Sequence, residues 1–178
     1  GFISRFTQNI PLISNSYTLT NAYDYKIYNQ WLNENVFSFG FFAKTATSIS
    51  GKDVKLSDRL FLPSGKLRGF ESGKVGPKDG ADYIGGNYAA SINLATTLPK
   101  IMPNLQNTNF SVFFDAANIW GIDYNSSLSD NSKIRSSVGI AVDFFTPIGP
   151  LNFSLTEPIT KGSNDITESF RFNIGTTF

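Results

Sequence analysis

Hydrophobic and polar side chains alternate along most of this chain with a period of two residues. In the last segment, Phe170, Phe172 and Ile174 alternate with Arg171 and Asn173. A period of two indicates β-strands with one apolar face and one polar face. Eight strands are predicted, at about residues 2–10, 16–28, 35–49, 87–98, 109–121, 133–146, 150–157 and 168–178. Since no segment requires a helix, the chain is predicted to be all-β.

Two environments explain strands of this kind. In a soluble sandwich or barrel the apolar face forms the core, whereas in a transmembrane barrel it meets lipid and the polar face lines an aqueous lumen. Several strands reach roughly ten residues, which suits a tilted bilayer crossing, and charges fall on the polar face. Aromatic residues near strand ends also favour a membrane barrel: Tyr17, Tyr28, Trp31, Trp120, Tyr124 and Phe178. The sequence therefore predicts an antiparallel transmembrane β-barrel.

Composition removes most catalytic chemistry. The 178 residues include no Cys and no His, which excludes disulfides, thiol nucleophiles, imidazole catalysis and Cys- or His-based metal sites. With 15 Lys+Arg against 14 Asp+Glu, the formal charge of +1 gives no field that would attract nucleic acid. Charged residues make up 16% of the chain, against roughly 25% in typical soluble domains. No apolar run reaches the roughly 18 residues of a membrane-spanning helix.

The remaining polar clusters indicate no reaction. Serine and lysine neighbours occur, but no oxyanion site accompanies them. The acidic pairs Asp79/Asp82 and Asp123/Asp130 fall in predicted loops and are interpreted as solvated acids, with a weak divalent-cation site as the alternative. We expect that the chain is not an enzyme and that it has no catalytic residue, no metal and no cofactor.

The longest connection, at about residues 51–86, is rich in glycine and contains Leu67, Arg68, Gly69 and Phe70 in succession. Seven of the chain's 15 glycines lie between Gly65 and Gly86. Because glycine lets backbones approach closely, this connection is predicted to fold tightly against another surface, with a long mobile surface loop as the alternative.

The environment of Arg68 decides whether this residue needs an acidic partner. If it points into a low-dielectric lumen, it requires an acidic partner. Asp115, on a polar strand face, is the first candidate, and Asp24 and Asp143 are alternatives. A solvated surface position for Arg68 also stays open.

Several separated segments form an ordered set of motifs. They are Leu67-Arg68-Gly69-Phe70, Gly85-Gly86-Asn87, Phe113 to Trp120, Arg135 to Gly139, Thr146 to Leu151, and Phe170 to Phe178. Together they resemble the BamA family of outer-membrane barrel insertases, in which the first segment is similar to the loop-six motif. Ala117 departs from the family's glycine, and Ala95 stands where many members have an inward Glu.

The resemblance implies an architecture for the whole parent protein. Residues 1–178 would be the C-terminal eight strands of a sixteen-stranded transmembrane β-barrel, with the 51–86 loop folded inward. The first half of the barrel and the N-terminal periplasmic domains are then expected to be absent from this chain.

The resemblance also implies a function and its residues. The family folds and inserts β-barrel proteins into the bacterial outer membrane through a seam at the last strand, without nucleotide hydrolysis. Implied partners are nascent outer-membrane β-barrel proteins, accessory assembly lipoproteins and outer-membrane lipid, with no nucleic acid. The implied latch of the inward loop comprises Leu67, Arg68, Gly69, Phe70 and Asp115, and the implied seam comprises Phe170, Phe172, Ile174, Gly175 and Phe178.

Two other functions fit parts of the sequence. A secretion or translocation pore of the same superfamily could keep the Arg68 segment and use the lumen as a conduit. A soluble β-sandwich that binds carbohydrate could use exposed rings such as Trp31 and Trp120.

Overall fold

A computed structural model describes residues 1–11, 17–31, 35–98, 107–128, 133–147 and 149–175 of the chain. The strands in these ranges are β1 Phe2–Asn9, β2 Thr18–Trp31, β3 Asn35–Ser48, β4 Lys78–Asp79, β5 Asp82–Tyr83, β6 Tyr88–Thr97, β7 Thr108–Trp120, β8 Arg135–Thr146, β9 Gly149–Thr160 and β10 Phe170–Ile174. Two single turns of 3-10 helix, Leu56–Asp58 and Ser64–Lys66, lie between β3 and β4. Within these ranges, no helix is long and apolar enough to cross a bilayer.

Eight of the strands form one antiparallel sheet in the order β1-β2-β3-β6-β7-β8-β9-β10. Each strand pairs with its neighbour in sequence, except that β6 pairs with β3. The short β4–β5 hairpin stands apart, within the connection that joins β3 to β6. In the described part of the chain, β1 and β10 each pair on one side only, so the sheet is an open meander.

The eight predicted strands correspond to the eight strands of this sheet, but some predicted boundaries are wrong. β9 continues past 157 to Thr160, because it stays paired with β8 beyond a register shift between Ser136 and Ser137. β10 begins at Phe170 rather than at 168 and runs to Ile174, Gly175 follows with a φ of 108°, and the predicted strand positions 176–178 lie outside the described residues. Phe178 lies outside the described residues. The two-residue strands β4 and β5 are too short for periodicity to predict.

The apolar face of the sheet is its exposed face. On neighbouring strands, Leu155 is 54% exposed and Phe172 is 44% exposed, whereas Ser154, between two outward residues, is 2% exposed. A soluble sandwich has the opposite distribution, since its apolar face is buried. Glu157 is an exposed charge on the outward row of β9 and departs from the expectation that charges lie only on the inner face.

The hydrophobic core lies between the inner face of the sheet and the long connection, residues 51–86, called here the inward loop. Its buried members are Phe42, Ala46, Val54, Leu60, Leu67, Phe70, Val75, Ala89, Ala117 and Ile119. Half of them come from the sheet and half from the loop, so apolar residues occupy part of a face that the sequence predicted to be wet. Where the loop covers the inner face, that face is dry rather than lined by water.

Candidate functional site

The centre of the inward loop is pressed against the inner wall of the sheet. Leu67 and Phe70 are buried in the core, and the 3-10 turn Ser64–Lys66 directly precedes them. Arg68, between them, reaches Asp115 of β7. This four-residue segment thus places two apolar side chains in the core and one cation on the sheet.

Arg68 forms a two-pronged ion pair with Asp115 of β7. Its Nε donates to Oδ2 at 2.7 Å and its Nη2 donates to Oδ1 at 2.8 Å. The backbone N–H of Arg68 also donates to Oδ2, at 3.1 Å. Asp115 is fully buried, at 0% exposure, so its charge depends on these donors. This ion pair is the centre of the predicted latch, to which the structure adds Asn93, a neighbour of Asp115.

Asn93 is a latch residue that sequence reasoning missed. It lies opposite Asp115 in the pairing of β6 with β7. Its Nδ2 donates to Asp115 Oδ1 at 2.8 Å and to the carbonyl oxygen of Lys66 at 3.0 Å. Ala95, expected to occupy the position of an inward acid, is two residues further along β6. The signal available in the sequence was the polar side chain at Asn93 in the middle of an alternating strand.

Gly69 allows the loop backbone to approach β8 and β9 closely. Its φ of 86° lies in the region that favours glycine, and a Cβ there would stand 2.6 Å from Thr156 Cγ2. The adjacent carbonyl oxygen of Arg68 accepts a hydrogen bond from Ser137 Oγ at 2.6 Å. Both the conformation and the lack of a side chain are therefore required at this position.

The two alternative acids for Arg68 are occupied by other residues. Asp24 of β2 accepts both of its bonds from Lys66 Nζ, at 2.9 and 3.0 Å. Asp143 of β8 accepts from Asn152 Nδ2 at 2.6 Å. The structure therefore joins Arg68 to Asp115, and the functional role of this pair stays a prediction.

A second ionic cluster fixes the start of the inward loop above the sheet. The guanidinium of Arg59 pairs with Asp123, whose Oδ2 also accepts from the Val54 N–H and from Asn87 Nδ2, each at 2.9 Å. Burial alone would raise the pKa of Asp123. The bonds from Val54 and Asn87 and the charge of Arg59 outweigh it and lower that pKa below its ordinary 3.8.

A third cluster ties the inward loop to the connection between β9 and β10. Arg135 Nε donates to Asp165 Oδ2 at 2.8 Å, and both side chains are almost completely buried. Asp165 Oδ1 also accepts from the N–H of Gly76, at 3.2 Å, and Asn118 Oδ1 accepts from Arg135 Nη1 at 2.7 Å. No feature of the local sequence pairs Arg135 with Asp165.

The terminal strand carries the residues that the sequence assigned to a seam. Phe170, Phe172 and Ile174 are exposed on the outward face. The ring of Phe172 stacks on Phe153 of β9, with centroids 4.7 Å apart. Gly175 donates its N–H to the Pro150 carbonyl at 2.9 Å, and a Cβ added to it would meet no atom within 4 Å. Phe178 is outside the described residues, and the seam role of all five residues stays a prediction.

Of the remaining predicted loop acids, Asp79 and Asp82 lie opposite each other in the β4–β5 hairpin. Asp79 accepts from the hydroxyl of Tyr124 at 2.8 Å, and this hydrogen bond raises the pKa of Tyr124 above 10.0. Asp123 belongs to the Arg59 cluster, and Asp130 lies outside the described residues. Across the described ranges, no group of three or more acidic side chains is placed to hold a metal ion.

An antiparallel sheet whose outer face is apolar and exposed, and whose inner face packs against an inward loop, is typical of a transmembrane β-barrel protein. The Omp85 superfamily domain matches residues 1–178. The chain belongs to the Omp85 superfamily.

Individual relatives agree with this assignment. The outer membrane protein assembly factor BamA of Neisseria meningitidis serogroup B is 32% identical over an alignment of 143 positions that covers 64% of this chain and 18% of that protein. A SAM50-like protein of Schizosaccharomyces pombe is 30% identical over 139 residues, covering 74% of this chain and 29% of the relative. The chain thus spans less than a third of either relative.

A solved structure shares the fold across nearly the whole chain. The crystal structure of BamA from Haemophilus ducreyi lacking POTRA domains 1-3 superposes with a TM-score of 0.84 and 28% identity, covering 97% of this chain and 37% of that one. The match to a BamA barrel and to proteins named as outer membrane protein assembly factors places the chain in the outer membrane.

Proposed function

We propose that this chain is the C-terminal half of the sixteen-stranded barrel of an outer-membrane assembly factor, which folds and inserts β-barrel proteins into the bacterial outer membrane. The relatives named as BamA and SAM50-like proteins support the general activity. Nascent outer-membrane β-barrel proteins are the proposed substrates, and accessory assembly lipoproteins are proposed partners. No step of the proposed mechanism uses a nucleotide or a catalytic residue.

The observation that carries this proposal is the latch. Arg68 and Asp115 hold a large loop against the inner wall, whereas an eight-stranded barrel has an interior just wide enough for side chains. A loop of this size requires a wider barrel, in keeping with the 37% share of the BamA structure that the chain covers. We infer that a wide barrel whose inner wall is stabilised by the inward loop can open between two strands while the rest of the sheet keeps its conformation.

The proposed mechanism uses the free edge of β10 as a template. Backbone N–H and C=O groups in lipid must be paired, so an opened strand edge attracts an incoming strand by β-augmentation. Within the described residues, β10 pairs with β9 from Phe170 to Ile174, and Gly175 follows directly with a φ of 108°. A glycine at this place lets the last strand bend, which suits a strand that exchanges its partner.

The experiment that tests this proposal is reconstitution of the full-length parent protein in liposomes. Unfolded outer-membrane barrel protein is added, and its folding is followed by protease resistance. We expect faster folding than in empty liposomes, with no added nucleotide. Folding at the rate of empty liposomes, together with a large steady conductance of the purified protein, would instead identify a passive pore.

A further inference from the structure

Arg171 is a buried cation on the inner face of β10. It is 8% exposed, and the sequence pattern placed it on the polar side of the last strand without indicating a partner. Its Nη1 donates to the carbonyl oxygen of Ser64 at 2.6 Å, and its Nη2 donates to the carbonyl oxygen of Phe70 at 2.5 Å. Ser64 and Phe70 lie on either side of the loop segment that contains Arg68.

A neighbouring carboxylate orients the guanidinium of Arg171. Glu168, three residues earlier, accepts from Nε at 3.1 Å and from Nη2 at 2.9 Å through the same oxygen. The planar guanidinium can serve several acceptors in fixed directions, and hydrogen bonds from a charged donor are stronger than neutral ones. One side chain of β10 therefore holds two separated points of the inward loop.

The backbone reinforces this connection just before β10 begins. Phe70 forms a β-bridge with Thr167. The N–H of Glu168 donates to the carbonyl of Gly69 at 3.0 Å, and the N–H of Ile166 donates to the carbonyl of Lys74 at 3.1 Å. The loop thus runs beside the residues that lead into β10, and a displacement of β10 strains the same contacts that hold the loop.

We propose that Arg171 is a positioning residue that couples the last strand to the inward loop, so that β10 and the loop loosen together. Its importance for a seam rests on the proposed function, whereas the coupling itself does not. Coupling between two parts of a molecule is reciprocal in free energy. Disturbing Arg171 must therefore loosen the loop, and disturbing the latch on β7 must loosen β10, which is three strands away in the sheet.

Hydrogen exchange of the full-length protein in lipid nanodiscs, read by mass spectrometry without any substrate, tests the coupling. Arg171→Gln is expected to speed exchange of residues 64–74 and of residues 166–174 by roughly tenfold, because bonds from a charged donor are lost. Asp115→Asn is expected to speed exchange of residues 166–174, although Asp115 contacts none of them in the structure. Lys52→Gln, which removes an exposed cation near Tyr17 and outside both segments, is the control and is expected to leave both unchanged.

Two results would overturn the coupling. One is an Arg171→Gln protein in which residues 64–74 exchange as in the wild type, and the other is an Asp115→Asn protein in which residues 166–174 do so. If Asp115→Asn prevents folding, Glu168→Gln replaces it, since Glu168 is half-exposed and orients Arg171; unchanged exchange of residues 64–74 in that variant would equally overturn the proposal. Because no substrate is present, a failed coupling is distinguishable from a failure of barrel assembly.

Discussion

The guanidinium of Arg68 lies over the ring of Phe113, with its central carbon 3.4 Å from the ring centroid, while its nitrogens hold both oxygens of Asp115. Asp115 and Phe113 are two residues apart on β7. The carboxylate of Asp115 binds the edge of the guanidinium, and the ring of Phe113 packs against its flat side. This geometry suits arginine, whose planar charge can make two parallel hydrogen bonds and stack at the same time.

Charge reversal of Arg68 is expected to disable the latch. Arg68→Glu places a second carboxylate beside the buried Asp115, and breaking a buried pair in this way costs about 3–5 kcal/mol. Assembly of outer-membrane proteins by the full-length protein should fall at least about tenfold, as measured by the amount of protease-resistant substrate. The double variant R68E/D115R should recover part of the loss, and undiminished assembly by R68E would remove the latch from the mechanism.

Arg68→Lys separates charge from geometry. Lysine keeps the positive charge but cannot make the two-pronged bond or lie flat over Phe113. We expect an assembly rate between those of the wild type and R68E. A rate equal to the wild type would show that charge alone is sufficient.

Gly69→Ala is expected to increase the distance between the inward loop and strands β8 and β9. The substitution combines a positive φ with a Cβ that would overlap the methyl group of Thr156, and we expect a loss of about 2–3 kcal/mol in stability. Gly73→Ala is the matched control, since Gly73 has a φ of 73° but nothing within 4 Å of the added methyl position. Thermal unfolding of both full-length variants, followed by gel mobility, measures the difference; equal destabilisation would show that the close approach at Gly69 is unimportant.

Gly175→Val is expected to slow substrate insertion. A φ of 108° is unfavourable for valine, so the backbone should return to an extended conformation and lengthen β10. Gly51→Val, at a φ of 70° just after β3 and with nothing within 4 Å of an added Cβ, controls for backbone strain away from the last strand. Folding kinetics of a substrate in liposomes compare the two, and equal rates for both variants and the wild type would exclude Gly175 from the seam.

Acid is expected to weaken the anchor of the inward loop at Asp123. A carboxylate whose pKa is lowered on folding stabilises the folded protein above its ordinary value, here 3.8, and loses this contribution as the pH falls from there through the lowered pKa. Asp123→Asn should therefore unfold at a lower temperature than the wild type at pH 7. The difference in unfolding temperature between the two proteins should narrow steadily below pH 3.8. A difference that is independent of pH would contradict the role of the ionised Asp123.

The local sequence pattern predicted much of the fold, because apolar and polar side chains alternate along consecutive residues in strands such as β8 and β10. It could not predict the boundaries of β9, which depend on pairing with β8 across a register shift. It also assigned the inner face to a wet lumen. Phe42 is buried on that face in the core shared with the inward loop, and Phe113 is buried there beneath the guanidinium of Arg68.

The site was predicted in part. The sequence named Arg68 and gave Asp115 as its first candidate partner, with Asp24 and Asp143 as alternatives. It did not name Asn93, because only the register of β6 and β7 brings Asn93 beside Asp115. The contacts of Arg171 with Ser64 and Phe70 join residues 107 and 101 positions apart. No local pattern carries such information, because the partners are backbone carbonyls that every residue possesses.

Cysteine crosslinking during assembly tests the proposed template at β10 most directly. This chain has no native cysteine, and paired strands bring opposite residues within disulfide reach. Asn173→Cys lies on β10, and Asn152→Cys is its pairing partner on β9, one strand inside the edge. With a cysteine in the terminal strand of the substrate, we expect crosslinks during assembly through position 173 and none through position 152. Efficient assembly with no crosslink through position 173 would contradict templating by the last strand.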